Sequence, residues 1–141
     1  MAIGLSALFV DTSAIFAGIA AQDSRHEQAV EIWSRLLDRD EPLLTHSMVE
    51  LETVVLLQSR LGVEAVRAFA ERLLPVLTVV EADREQRRAG LAELIGDRRR
   101  AIGLVDRVSF AVMRRLGITR AFAFDRHFAD AGFDLIGPEA A

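Results

Sequence analysis

Residues 7–14 read ALFVDTSA. Four apolar residues in a row make a short buried strand, and Asp11-Thr12-Ser13 closes it with side chains that bind backbone N–H groups. Residues 121–125, AFAFD, repeat the plan: an apolar run that ends on an acid. Helical spacing fills the chain between them. In 26–38, for example, Ala29, Ile32, Trp33, Leu36 and Leu37 recur at intervals of three and four. Strands alternating with helices predict an α/β fold, a sandwich around a mainly parallel central sheet. In such sheets ligands gather beyond the carboxyl ends of the strands. Asp11 and Asp125 fall there. Asp is also a favoured N-cap, so position alone leaves both roles open for each acid.

Punctuation by Gly and Pro sets the remaining boundaries. Strands are expected at 7–10, 43–45, 76–80, 121–124 and 134–136. Helices are expected at 26–38, 47–60, 63–74, 83–96, 104–116 and 126–131, with Gly62, Pro75 and Gly117 as stops. At 141 residues the chain fits one domain, spanning 1–141. No apolar run is long enough to cross a membrane. The N-terminus, MAIGLSALFVD, lacks the basic start of a secretory signal and reads as structure. There is no cysteine, which excludes disulfides and thiolate metal sites and fits a cytosolic protein.

All seventeen basic residues are arginine. The absence of lysine excludes Schiff-base chemistry and a P-loop lysine. The net charge of -4 argues against a globally basic nucleic-acid binder, but the charge is uneven. Residues 84–126 carry a local +6 and residues 1–83 a local -7. A basic region of this kind either attracts phosphate or simply solvates helix faces.

Two further acids stand on apolar helix faces. On a wheel of about 100° per residue, Met48, Val49, Val55 and Leu56 fall within about 60° of Glu52, while Glu50 falls about 160° away. Glu52 is therefore expected to point inward with that stripe, and Glu50 outward. In LVDRVSFAVMRRLG, Asp106 shares a face with Ser109, Phe110 and Met113, while Arg107 and Arg114 lie on another side. Unpaired carboxylates are disfavoured in a core. Four acids in one pocket are stable as ions only around a cation, and an all-oxygen shell suits Mg²⁺ or Mn²⁺. Such a site suits phosphoryl chemistry. The histidines, His26, His46 and His127, have no zinc spacing and read as surface or cap residues.

The stretches VDTSA, ELETVVLL, LVDRVSFAVMRRLGI and RAFAFDRHFADAGFDLI resemble a PIN-domain protein. More narrowly, they are similar to VapC-type toxin ribonucleases of bacterial toxin–antitoxin modules. The resemblance spans nearly the whole chain and is most specific from Leu104 to Phe133. It implies a three-layer α/β/α sandwich and a Mg²⁺- or Mn²⁺-dependent endoribonuclease. Asp11, Glu52, Asp106 and Asp125 would form its catalytic acids, with Asp11 and Asp106 as core metal ligands. Thr12 and Ser13 would lie beside them. The products implied are 5′-phosphate and 3′-hydroxyl ends. An RNA substrate, a cognate antitoxin and a homodimer are the implied partners, in the cytoplasm. Many relatives carry a further acid four or five positions before the third Asp; here that segment is Arg99-Arg100-Ala101-Ile102. A stand-alone RNA-processing nuclease and an inactive binding scaffold are the competing readings.

Overall fold

The computed structural model describes residues 7–137, so the expectation for the first residues of the N-terminal stretch lies outside the described part. Five strands form one sheet: β1 (Leu8–Val10), β2 (Leu43–His46), β3 (Thr78–Val80), β4 (Arg120–Phe122) and β5 (Asp134–Leu135). All pairings are parallel, in the order β3-β2-β1-β4-β5. Seven α-helices connect them: α1 (Thr12–Ile19), α2 (His26–Asp38), α3 (Ser47–Arg60), α4 (Val63–Ala68), α5 (Arg84–Asp97), α6 (Leu104–Leu116) and α7 (His127–Asp130).

The chain leaves β1 toward β2 and β3, then returns across β1 to β4 and β5. Right-handed crossovers running in opposite directions put their helices on opposite faces of the sheet. Helices α1 to α4 pack among themselves, as do α5 to α7. The result is the expected sandwich. It also makes the gap between β1 and β4 the point where the winding reverses, the place where open parallel sheets bind ligands.

β1 is wholly buried, as the run ALFV predicts. Phe9 stacks on His46 and Phe128, and Phe128 meets Phe110 edge-on at 5.1 Å. These rings clamp β1, the end of β2, α6 and α7 together. Helices α5 and α6 approach closely at Gly90. A Cβ there would lie 2.7 Å from Val108 Cγ2 and 3.1 Å from Val108 N. Gly117, at φ 73°, ends α6 in the left-handed conformation that glycine tolerates best.

The helix expected at 63–74 and the strands expected at 76–80 and 121–124 differ from expectation; the last runs Arg120–Phe122 and stops short of Phe124. The helix begun at Val63 is α-helical only to Ala68, widens to a π-turn over Phe69–Leu73, and tightens to a 3₁₀ turn over Leu74–Val76. Pro75 has no N–H and cannot continue the α pattern. The strand expected from 76 consequently starts at Thr78. Among the described residues, no helix is long and apolar enough to cross a membrane.

Candidate active site

Asp11 leaves β1 and caps α1. Its Oδ2 accepts bonds from Ser13 N at 3.1 Å and Ser13 Oγ at 2.7 Å. Ser13 Oγ in turn accepts from Phe124 N at 3.0 Å, so one hydroxyl ties the exit of β1 to the exit of β4. Thr12 Oγ1 donates to Glu52 Oε1 at 2.7 Å and accepts from Thr53 Oγ1 at 3.2 Å. Asp106 comes from the first turn of α6 and Asp125 from the loop after β4. Asp11, Thr12, Ser13, Glu52, Asp106 and Asp125 line one cavity of about 470 Å³, bordered by Gly103–Val105. All six sequence-predicted site residues therefore meet in one place. A separate cleft of about 380 Å³, lined by Trp33, Leu37 and Leu73 among others, has no carboxylate on its walls.

The cavity penalises negative charge. Burial pushes the Asp11 carboxyl up to about 6; the two Ser13 bonds oppose the shift, and the charges of Glu52 and Asp125 add to it. Burial also raises Asp106, to about 7. Asp11 adds to that rise and His127 pulls against it. Asp11 Oδ1 is the one buried side-chain polar atom without a hydrogen-bond partner among the described residues. Such atoms are rare and call for a partner. A second pointer lies nearby: one ligand atom each from Asp106, Asp125 and His127 falls within 4.8 Å of the others. An orphaned carboxylate oxygen beside clustered acids fits a hard divalent cation.

The PIN-domain family model matches residues 8–134. The chain belongs to the PIN-domain family. It is 38% identical over 133 residues to the 23S rRNA-specific endonuclease VapC20 of Mycobacterium tuberculosis, covering 94% of this chain and 99% of that one. The crystal structure of the M. tuberculosis VapC20, described as a Sarcin-Ricin loop cleaving toxin, superposes with a TM-score of 0.80 at 37% identity, over 93% of this chain and 99% of that chain. FitAcB of Neisseria gonorrhoeae shares the fold alone, with a TM-score of 0.68 at 14% identity over 95% of this chain and 99% of that chain.

Three sequence expectations for this PIN domain need correction. Glu52 does not point inward with its apolar stripe. The buried residues of α3 are Val49, Thr53 and Leu57, whereas Leu51 and Val55 are 66% and 57% exposed. Of the expected stripe, Val49 is buried, Met48 and Leu56 are half-buried and Val55 is exposed, and exposed Glu52 reaches the cavity through Thr12. Glu50 is half-buried and is not among the residues lining the cavity. Arg107, expected on another side of α6 from the buried stripe, is itself buried. It donates to the carbonyls of Ile102, Glu93 and Arg99 and to Asp97 Oδ2 at 2.9 Å. This guanidinium staples the Arg98–Gly103 connection against α5, beside the cavity rim.

The third correction concerns histidine. His46 does cap α3, accepting from Met48 N, but from a fully buried position, with its Nε2 2.8 Å from Ser109 Oγ. His127 is neither a plain surface residue nor the cap of its helix, since Arg126 holds that place. Its Nδ1 lies 2.8 Å from Asp125 Oδ1 and 3.2 Å from Asp106 Oδ2. The available sequence signal was the i,i+2 spacing in Asp125-Arg126-His127, which lets the ring fold back over the acid.

Proposed function

We propose that this protein is a metal-dependent endoribonuclease, a single PIN domain over residues 1–141, acting as the toxin of a toxin–antitoxin pair in the cytoplasm. The observation that carries the reading is the convergence of Asp11, Glu52, Asp106 and Asp125 on one cavity at the winding reversal of the sheet. Asp11 and Asp106 are the residues that would hold Mg²⁺ or Mn²⁺. When bound, the cation supplies Lewis-acid activation of water and neutralises charge developing on the phosphodiester.

The chain's own groups do the rest. Ser13 holds the Asp11 carboxylate through Oδ2 and leaves Oδ1 without a hydrogen-bond partner. Thr12 holds Glu52 by Oε1, which leaves Oε2 to take a proton from water at the cavity mouth. Asp125 closes the opposite side. Arg98 and Arg100, in the connection that leads to the cavity wall at Gly103, and Arg126, next to Asp125, are exposed and suit a phosphate backbone. VapC20 is named for 23S rRNA, so ribosomal RNA is the first substrate to test. An antitoxin segment covering the acids, with an arginine among them, would restrain the enzyme, and a homodimer is the proposed assembly.

The test is cleavage of intact ribosomes, purified 23S rRNA and transfer RNA with Mg²⁺ or Mn²⁺. Wild-type protein is expected to cut, leaving 5′-phosphate ends. Folded Asp11→Asn and Asp106→Asn proteins are expected not to. No cleavage of ribosomal or transfer RNA by the wild type with either cation would sink the nuclease reading for those substrates.

A further inference from the structure

His127 is the group in the cavity region that an all-oxygen site does not explain. Its Nδ1 faces two carboxylates at once, Asp125 Oδ1 at 2.8 Å and Asp106 Oδ2 at 3.2 Å. A single ring N–H cannot point along both directions. Three potential donors crowded around one point are arranged as ligands of a shared ion.

The ring is also held in place. His127 N donates to Asp125 Oδ1 at 2.9 Å, which folds the Asp125-Arg126-His127 turn onto the cavity. The next residue, Phe128, is fully buried between Phe9 and Phe110 and locks the start of α7 to the core. The imidazole thus sits on a rigid anchor with its Nδ1 turned inward. Asp11 lines the same cavity as Asp106 and Asp125, and its buried, orphaned Oδ1 gives an independent sign that an ion belongs in this cavity.

We infer that His127 is a nitrogen ligand of the divalent cation, with Asp106 and Asp125, and that this site therefore prefers Mn²⁺ to Mg²⁺. This rests on the metal-dependent reading above and adds to it two ligands, His127 and Asp125, and a selectivity. The chemistry is general. Mg²⁺ is hard, binds oxygen and gives up water reluctantly. Imidazole is the commonest protein nitrogen ligand, and a nitrogen donor favours first-row transition ions over Mg²⁺.

Pulsed EPR on the metal-free protein loaded with one equivalent of Mn²⁺ tests this directly. Wild-type protein is expected to show ¹⁴N modulation from a coordinated imidazole, absent in His127→Gln. Calorimetric titrations supply the second readout. Mn²⁺ affinity is expected to fall about 10-fold or more in His127→Gln, a scale seen when metal-site partners are removed. Mg²⁺ affinity should change less than about 3-fold. Mn²⁺ uptake by wild type without nitrogen modulation overturns this inference alone and leaves the nuclease reading standing. Equal losses for the two ions also overturn it, because they mark a purely electrostatic role. Failure of wild type to take up either ion overturns both.

Discussion

Thr12 Oγ1 donates to Glu52 Oε1 across 2.7 Å, a bond that spans forty residues of sequence and joins α1 to α3 at the mouth of the acid cavity. Glu52 is exposed and sits among apolar neighbours, so this hydroxyl is what aims it. We predict that Glu52→Gln lowers RNA cleavage roughly 100-fold, the lower range for removing a proton-transfer group. Stability should change by less than about 0.5 kcal/mol, as for other surface substitutions. Thr12→Val should give part of the same loss, and Glu50→Gln should stay near wild type. Single-turnover cleavage and thermal melts measure both effects. Equal loss from the two glutamates would mean that Thr12 does not select Glu52.

Asp106→Asn should stabilise the metal-free protein while abolishing cleavage. Burial pushes the folded carboxyl up to about 7, from an ordinary value of 3.8. The native state therefore binds the proton more tightly, and stability falls as pH rises from about 4 through about 7. At pH 8 the asparagine protein should be more stable by roughly 1–3 kcal/mol, a melting point several degrees higher. Saturating Mn²⁺ should reverse the order, since it stabilises only the form that binds it. Melts with and without the ion give the answer.

His46 should make the protein acid-sensitive. Burial pushes its imidazole down to about 4. The unfolded chain binds the proton more readily between about 6.5 and 4, so stability contributed by neutral His46 is present above 6.5 and lost as pH falls to 4. The loss is on the order of 3 kcal/mol. His46→Asn keeps an acceptor for Met48 N but loses the Ser109 contact. It should be less stable at pH 7.5 and show a flatter stability profile from pH 6.5 to 4. Urea midpoints across that range, compared with wild type, check the slope.

Arg107→Met should cost roughly 3–5 kcal/mol, the range for removing one partner of a buried charged network. Three carbonyl oxygens and Asp97 lose their shared donor. Because the stapled connection carries Arg98 and Arg100 and runs into the cavity wall at Gly103, the folded fraction should also bind RNA more weakly. Urea denaturation measures the first effect and filter binding the second.

Much of this protein is written locally. The strands that run toward Asp11 and Asp125, the helical periods and the glycine after Leu116 depend on neighbours in sequence; β1 ends at Val10, next to Asp11, while β4 ends at Phe122, three residues before Asp125. The parallel α/β architecture follows from their alternation. The identities of the acids were legible for the same reason: an acid that ends a buried strand, or interrupts an apolar face, stands out against its neighbours. The orientation of Glu52 was not legible in the same way. An apolar wheel face does not say which way a helix is turned, and here Leu51 and Val55 face solvent while Thr53 is buried.

The sequence by itself determined the elements, their alternation and the four acids, because period and punctuation are local properties. Tertiary structure alone decided the rotation of α3, the burial of Arg107 among backbone carbonyls, and the turn of His127 toward Asp106, twenty-one residues away. Those features depend on which groups meet once the chain crosses the sheet in both directions. A buried guanidinium is stable only where distant carbonyls converge on it, and His127 lies between two acids only because the first turn of α6 meets the turn that follows β4.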